Sequence, residues 1–373
     1  MSKLVYEGSV KNLWEITADK LEFEYTDAYS VFDWGRMPDT LAHKGDALAA
    51  IGAYFFKAVA NPDSWKTAQL RKSPWLAGFK GRLRELLEAE ISVLEREGLH
   101  HHLLERTGTN KLRVQRVSAI GPVEHQLGPQ ALYHYSGQGW EKRVRLIPLE
   151  VVFRFGVPQG SSLIERLTPA YVAQLGLESL PLEGKKLDRP VIEFFSKLEG
   201  TDRFFTWEQA LNYSGLTYAN FEKLLARSMV LAVWLAGTFE GKGLELWDGK
   251  FEWALDDDQL MLVDSIGPDE LRLLDPMTGT QISKEFLRLF YRKTEWFEAV
   301  KLAKSEAATD SEIDWKARVR KRTGEPPMLS KEFREAATAL YPSLALAICG
   351  ENPGVLGLPL PRMLERIRKC HGK

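Results

Sequence analysis

The sequence predicts an α+β protein with a strand-rich N-terminal lobe, a mixed α/β second domain and a helical C-terminal extension. Three observations lead there. Short strand-like runs with Gly-containing turns dominate the first third. Longer runs with apolar residues every three or four positions follow. Between them, "LWDGKFEW", Leu246 to Trp253, alternates with a period of two. The expected division is 1–145 for the strand-rich lobe, 146–300 for the mixed domain and 301–373 for the extension, with 118–142 an insertion.

In chain order, "KLVYEGSVKNLWEI" and "KLEFEYTDAYSVFDW" have the spacing of short strands. "DALAAIGAYFFKAVA" and "LRELLEAEISVLEREGL" have helical spacing, and Gly98 can cap the second. "KLRVQRVSAI" resumes strand character, and "GPVEHQLGPQALYHYSGQGW" reads as an insertion or long hairpin. "RVRLIPLEVVFRFGVPQGSS" is an apolar strand entering a Gly-Ser loop. The pattern from Trp207 to Phe239 is helical. "GKGLELWDGKFEWALDDDQLMLVDSI" reads as a hairpin around Asp256-Asp257-Asp258, and "PPMLSKEFREAATALYPSLALAI" as a C-terminal helix.

Of 373 residues, 44% are apolar and 27% charged, as in an ordinary soluble globular protein. Fifty basic against 51 acidic residues leave a net charge of −1, which argues against a broad nucleic-acid footprint. Cys349 and Cys370 are the only cysteines, and a reducing compartment fits them. The opening "MSKLVYEGSV" soon turns polar, and no run reaches the roughly 18 apolar residues of a membrane span. These features predict a cytoplasmic protein that binds no membrane, and they do not set its oligomeric state.

Two eye-catching clusters read as structural. His100-His101-His102 lacks metal-ligand spacing and reads as a surface or partly packed corner. Asp256-Asp257-Asp258 lacks the calcium-loop pattern and reads as a solvated turn.

The chemistry concentrates in "LWDGKFEW". Asp248, Lys250 and Glu252 share one strand face, while Trp247, Phe251 and Trp253 share the other. An odd hairpin loop, such as Asp257 to Gln259, would set Asp264 directly opposite Glu252. Two carboxylates about 5 Å apart repel by about 3 kcal/mol at an effective dielectric of about 20. Lys250 or a divalent cation would relieve that, and hard oxygen ligands suit Mg2+. An even loop would send Asp264 to the aromatic face and leave a solvated charged strand. Arg154 precedes a Gly-Ser loop holding Ser161 and Ser162, and Arg272 follows Asp264, so both can meet anionic oxygens. Lys11 follows the Gly turn of the first hairpin, where backbone amides and a lysine can lie over phosphates.

Taken in chain order, these segments resemble the phosphoribosylaminoimidazole-succinocarboxamide synthase (SAICAR synthetase) family. "YEGSVKNLW" resembles the family's opening strand, and "YTDAYSVFDWGRMPDTLAHKG" its Thr-Asp…Phe-Asp segment leading to Lys-Gly. "LIPLEVVFRFGVPQGSS" resembles its Pro-x-Glu strand, Arg and Gly-Ser loop. "SKLEGTDRFFTWEQA", "LWDGKFEWA" and "VDSIGPDELRLLD" resemble its Lys-x-Glu-x-Gly-x-x-Asp, Asp-x-Lys-x-Glu-Phe-Gly and Asp-Glu-x-Ser-Pro-Asp-x-x-Arg stretches.

The resemblance implies ATP-dependent joining of L-aspartate to the carboxylate of carboxyaminoimidazole ribotide, in purine biosynthesis. It implies ATP between the lobes and Mg2+ on Glu252 and Asp264. It assigns Lys11 to ATP phosphates, Lys197 to the nucleotide beside the substrates, and Asp248 and Lys250 to the nucleotide–substrate junction. Arg154, Ser161 and Arg272 would bind ribotide or aspartate, Asp202 would lie near the substrates, and Asp33 is a further substrate candidate. Ser9 and Ser265 stand where the family usually has Lys and Glu, and the Arg154–Gly160 loop is one residue longer than usual. A paralogue ligating a different amine or carboxylate, and a non-catalytic nucleotide-binding protein, are the alternative readings.

Overall fold

The computed structural model describes residues 2–128, 130–135, 142–200, 202–309 and 313–370. Their contacts gather into two units: Met1–Ala53, Leu104–Val114 and Met277–Lys373 form one, Tyr54–Leu103 and Gln115–Pro276 the other. This grouping crosses the boundaries expected at 145 and 300. The chain leaves the first sheet for a helical excursion and returns to complete it, and the C-terminal helices group with that sheet rather than apart from it.

The first unit holds a five-stranded sheet of order β1-β2-β3-β5-β4. Its strands are β1 Lys3–Glu7, β2 Lys11–Thr17, β3 Lys20–Tyr25, β4 Leu103–Arg106 and β5 Lys111–Gln115, the last two each sharing one terminal residue with the second unit. The β1–β2 turn needs Gly8. Its amide bonds to the Lys11 carbonyl at 3.1 Å, and a Cβ there would sit 2.4 Å from that oxygen. On β3, Phe23 and Tyr25 turn inward on the period of two. The expected C-terminal helices are present as Lys331–Cys349 and Leu360–Cys370, preceded by Lys284–Tyr291, Glu295–Thr309 and Trp315–Thr323.

The second unit is built on a six-stranded sheet. β8 Val144–Gly156, β9 Lys186–Ser196, β10 Phe204–Phe205, β11 Glu245–Asp256 and β12 Gln259–Val263 run in the order β10-β9-β8-β11-β12, and β13 Leu271–Leu274 also pairs with β11. The segment expected to be a hairpin forms its own two-stranded sheet, β6 Val123–Leu127 with β7 Gln130–His134. The rest of the 118–142 segment includes positions 129 and 136–141, which lie outside the described residues. The helical pattern from Trp207 splits into Trp207–Ser214 and Tyr218–Glu240, because Gly215 ends the first in a left-handed cap and Thr217 caps the second.

Helix Tyr218–Glu240 is buried over most of its length and packs on β8, β9 and β11. It covers one face of the sheet, where Val151, Phe194 and Phe251 lie side by side across three strands. Phe251 stacks on Phe153 at 4.7 Å, and Trp253 is fully buried beside it. Burying this apolar layer anchors β11, so the register of its opposite, charged face is fixed. Among the described residues, no helix is long and apolar enough to cross a membrane.

Candidate active site

The antiparallel β8–β11 ladder pairs Arg154 with Asp248, Val152 with Lys250, and Glu150 with Glu252. From β9, Glu193 pairs with Val152. With side chains alternating, Glu193, Arg154, Glu150, Asp248, Lys250 and Glu252 all project from the face opposite the helix. Gly249 permits the close strand approach, since a Cβ there would lie 2.6 Å from the Phe153 ring and 2.7 Å from Leu271.

One network on this face is built on guanidiniums. Arg154 is buried and donates through Nε to Glu193 at 2.5 Å, through Nη1 to Asp248 at 3.1 Å and to Ser161 at 3.3 Å, and through Nη2 to Ser162 at 3.5 Å. Arg272 donates to the same Asp248 oxygen at 3.2 Å. Burial works against the charge of Arg154, but Glu193 and Asp248 raise its pKa overall. Burial pushes the Glu193 carboxyl up, and Arg154 and Arg166 outweigh it to hold the group below the usual carboxylate range.

A second network is built on ammoniums. Lys250 bonds to Glu150 at 2.5 Å, and Lys197 lies 2.8 Å from Glu252 and 3.3 Å from Glu150. Desolvation lowers both lysine pKa values, yet the facing carboxylates raise them above the ordinary value. Glu150 would be raised by burial but is held low by Lys250 and Lys197. Glu252 goes the other way. Burial and the charge of Asp264 push its carboxyl up, against the pull of Lys197 and Lys250.

The expected route to this pairing is corrected. The hairpin loop has two residues, Asp257 and Asp258, so Glu252 pairs with Val263 rather than Asp264. The carboxylate directly opposite Glu252 is Glu150. Asp264 nonetheless acts on Glu252 and Lys250, because it has left the strand with a φ of 65° and is no longer bound to the alternation. Its carbonyl lies 3.1 Å from His102 Nε2. His102 is thus buried rather than at the surface, while His100 sits 3.4 Å from Asp256 and His101 packs on Phe56, its pKa lowered by burial to about 4. Asp256 also pairs with Arg143, so only part of the acidic turn is solvated.

Of the expected residues, Asp248, Lys250, Glu252, Asp264, Arg154, Ser161, Arg272 and Lys197 come together here. Asp202 lies in the same unit, exposed in the loop between β9 and β10. Lys11 and Asp33 belong to the other unit. Lys11 Nζ stands 4.2 Å from the Phe23 ring centroid, and exposed Asp33 bonds to Lys304 at 2.5 Å. Glu150, Glu193 and Arg166 are not among the site residues expected from sequence. The period-two spacing of Glu150, Val152 and Arg154 in "PLEVVFR" was the available signal for the first. Nothing local marks Glu193 as a partner of Arg154.

A sequence model of the SAICAR synthetase family matches residues 4–303. The chain belongs to the SAICAR synthetase family. Its members are ATP-dependent ligases of purine biosynthesis. A relative from Archaeoglobus fulgidus, provisionally named phosphoribosylaminoimidazole-succinocarboxamide synthase, is 33% identical over 369 residues, covering 96% of this chain and 97% of the relative. The SAICAR synthetase fold recurs in two solved structures. "SAICAR synthetase (Type-2) in complex with ADP" is 24% identical, with a TM-score of 0.51 over 87% of this chain and 99% of that one. "SAICAR-synthase from Saccharomyces cerevisiae complexed SAICAR" is 17% identical, with a TM-score of 0.53 over 94% and 96%. The α+β class expected from sequence is the class of this family.

Proposed function

We propose that this SAICAR synthetase family member joins L-aspartate to the carboxylate of carboxyaminoimidazole ribotide, consuming ATP with Mg2+. The observation that carries the reading is the juxtaposition of the two networks. A buried guanidinium cluster suited to anionic oxygens shares strands β8 and β11 with an ammonium–carboxylate cluster suited to phosphoryl transfer.

The residues fit Mg2+. Glu252 is 12% exposed, and burial first, then the charge of Asp264, pushes its carboxyl up against the pull of Lys197 and Lys250. A divalent cation would favour the ionised form of this buried carboxylate, and Glu252 and Asp264 are the oxygen donors to hold it. Among the described residues, no group of three or more His, Cys, Asp or Glu side chains is arranged for a metal, so phosphate oxygens of ATP would supply the remaining ligands. When bound, the ion would neutralise charge on the transferring phosphoryl group.

Lys250, anchored by Glu150, supplies a fixed positive charge at the junction of nucleotide and substrate, and Asp248 orients Arg154 and Arg272 there. Lys197 faces ATP phosphates. Arg154, Ser161 and Arg272 hold the anionic ribotide or aspartate, with Asp202 nearby. The γ-phosphoryl group passes to the substrate carboxylate. The aspartate amine then attacks the acyl carbon, forming C–N and breaking C–O, so phosphate leaves and the amine loses a proton. Positioning and charge neutralisation do the catalysis.

ADP release with ribotide, L-aspartate and Mg2+ supplied or withheld tests this. Release requiring all three is expected. Release that ignores L-aspartate, or that another amine supports better, would favour the paralogue and overturn the assignment.

A further inference from the structure

Among the described carboxylates on the charged face of the second unit's sheet, Glu193 has no role in the proposed function. Glu193 of β9 has no exposed side-chain surface. Its oxygens accept three bonds: from Arg154 Nε at 2.5 Å, from Arg166 Nη2 at 2.8 Å and from the Tyr171 hydroxyl at 2.8 Å. Arg154 passes the contact on to Asp248, and Asp248 to Arg272. The result is a ladder of alternating charge across four strands and a short 3-10 turn, Ile164–Arg166: Arg166, Glu193, Arg154, Asp248, Arg272. Its outer guanidiniums reach solvent, with Arg166 18% and Arg272 14% exposed, while Arg154 is enclosed at 6%. Arg166 is further fixed by lying 5.0 Å from the ring centroids of both Phe195 and Phe204.

We propose that Glu193 is a positioning residue, holding the Arg154 and Arg166 guanidiniums as one rigid anion-binding fork for the phosphorylated ribotide. The proposal rests on the substrate reading above. An arginine side chain has several rotatable bonds, and a buried and a part-buried guanidinium without the carboxylate between them repel. Glu193 supplies both the counter-charge and the geometry, and its third acceptor contact, to Tyr171, fixes its own rotamer.

Glu193→Gln keeps the shape and removes the charge. Steady-state kinetics at a temperature where circular dichroism shows the variant folded should give a ribotide KM raised about tenfold or more and an ATP KM within about twofold of wild type. A role in stability alone would lower Tm and leave the ribotide KM unchanged. A folded Glu193→Gln with wild-type ribotide KM overturns the proposal. If that variant does not fold, Arg166→Gln decides. The same selective rise in ribotide KM supports the fork, and an unchanged ribotide KM overturns it. Wild-type protein that releases no ADP in response to ribotide would instead overturn the substrate reading, and this proposal with it.

Discussion

Glu252 faces Glu150 directly across the β8–β11 ladder, and Lys197 lies within 3.3 Å of both carboxylates. A like-charged pair opposite one another in a sheet is ordinarily destabilising. Here the two members have diverged. Glu150 is held ionised by two lysines, whereas Glu252 is pushed toward its protonated form by burial and by Asp264. Groups driven apart in this way mark places where a protein handles added charge.

Glu252 therefore links stability to pH and, under the proposed function, to Mg2+. A carboxyl whose pKa is raised on folding binds its proton more tightly when folded, so ionising it costs stability above the ordinary carboxylate range. Without Mg2+, Glu252→Gln should gain Tm relative to wild type at about pH 8 and show little gain at about pH 4. Adding Mg2+ at the higher pH should raise the wild-type Tm more than that of the variant. Equal Mg2+ responses would count against Glu252 as a ligand.

Glu150 has the opposite sign. Its folded pKa is depressed, so its contribution is present above the ordinary carboxylate value and lost as pH falls through the folded one. Glu150→Ala leaves Lys250 and Lys197 less well paired and should cost about 3 kcal/mol at neutral pH, with the deficit shrinking in acid. Urea unfolding across pH measures it. A deficit that does not vary with pH would show that Glu150 matters for packing alone.

Lys250 should matter for catalysis more than for folding, being 37% exposed. Lys250→Ala is expected to lower kcat about a hundredfold or more while the protein remains folded. Unchanged kinetics would reduce the charged face of β11 to surface decoration.

Gly249 should tolerate no side chain. The Cβ of Gly249→Ala would press on Phe153 and Leu271 at the centre of the sheet, at a cost of about 1–3 kcal/mol. A denaturation midpoint equal to wild type would mean that the β8–β11 spacing relaxes freely.

The sequence revealed what is local and left obscure what depends on pairing. The alternation of Asp248, Lys250 and Glu252 against Phe251 and Trp253 could be read from one strand, as could the helix at Lys331–Cys349. The partner of Glu252 could not. Register depends on turn length, and a two-residue turn at Asp257-Asp258 shifts every pair by one. Asp264 joins the cluster through a left-handed backbone that residue type alone does not announce. Glu193 meets Arg154 from a different strand, 39 residues along the chain, and no local periodicity encodes such a contact. The grouping of the C-terminal helices with the first sheet was likewise hidden, because packing partners far apart in sequence leave no spacing signal.

The proposed catalytic centre is the β8–β11 face with Asp264. Steady-state turnover of Glu252→Gln and Asp264→Asn, with ribotide, L-aspartate and Mg2+-ATP at saturation, tests it most directly. A loss of about a thousandfold or more in kcat is expected for each variant, with circular dichroism near wild type and Tm no lower than that of wild type. Wild-type turnover surviving in either folded variant would contradict it.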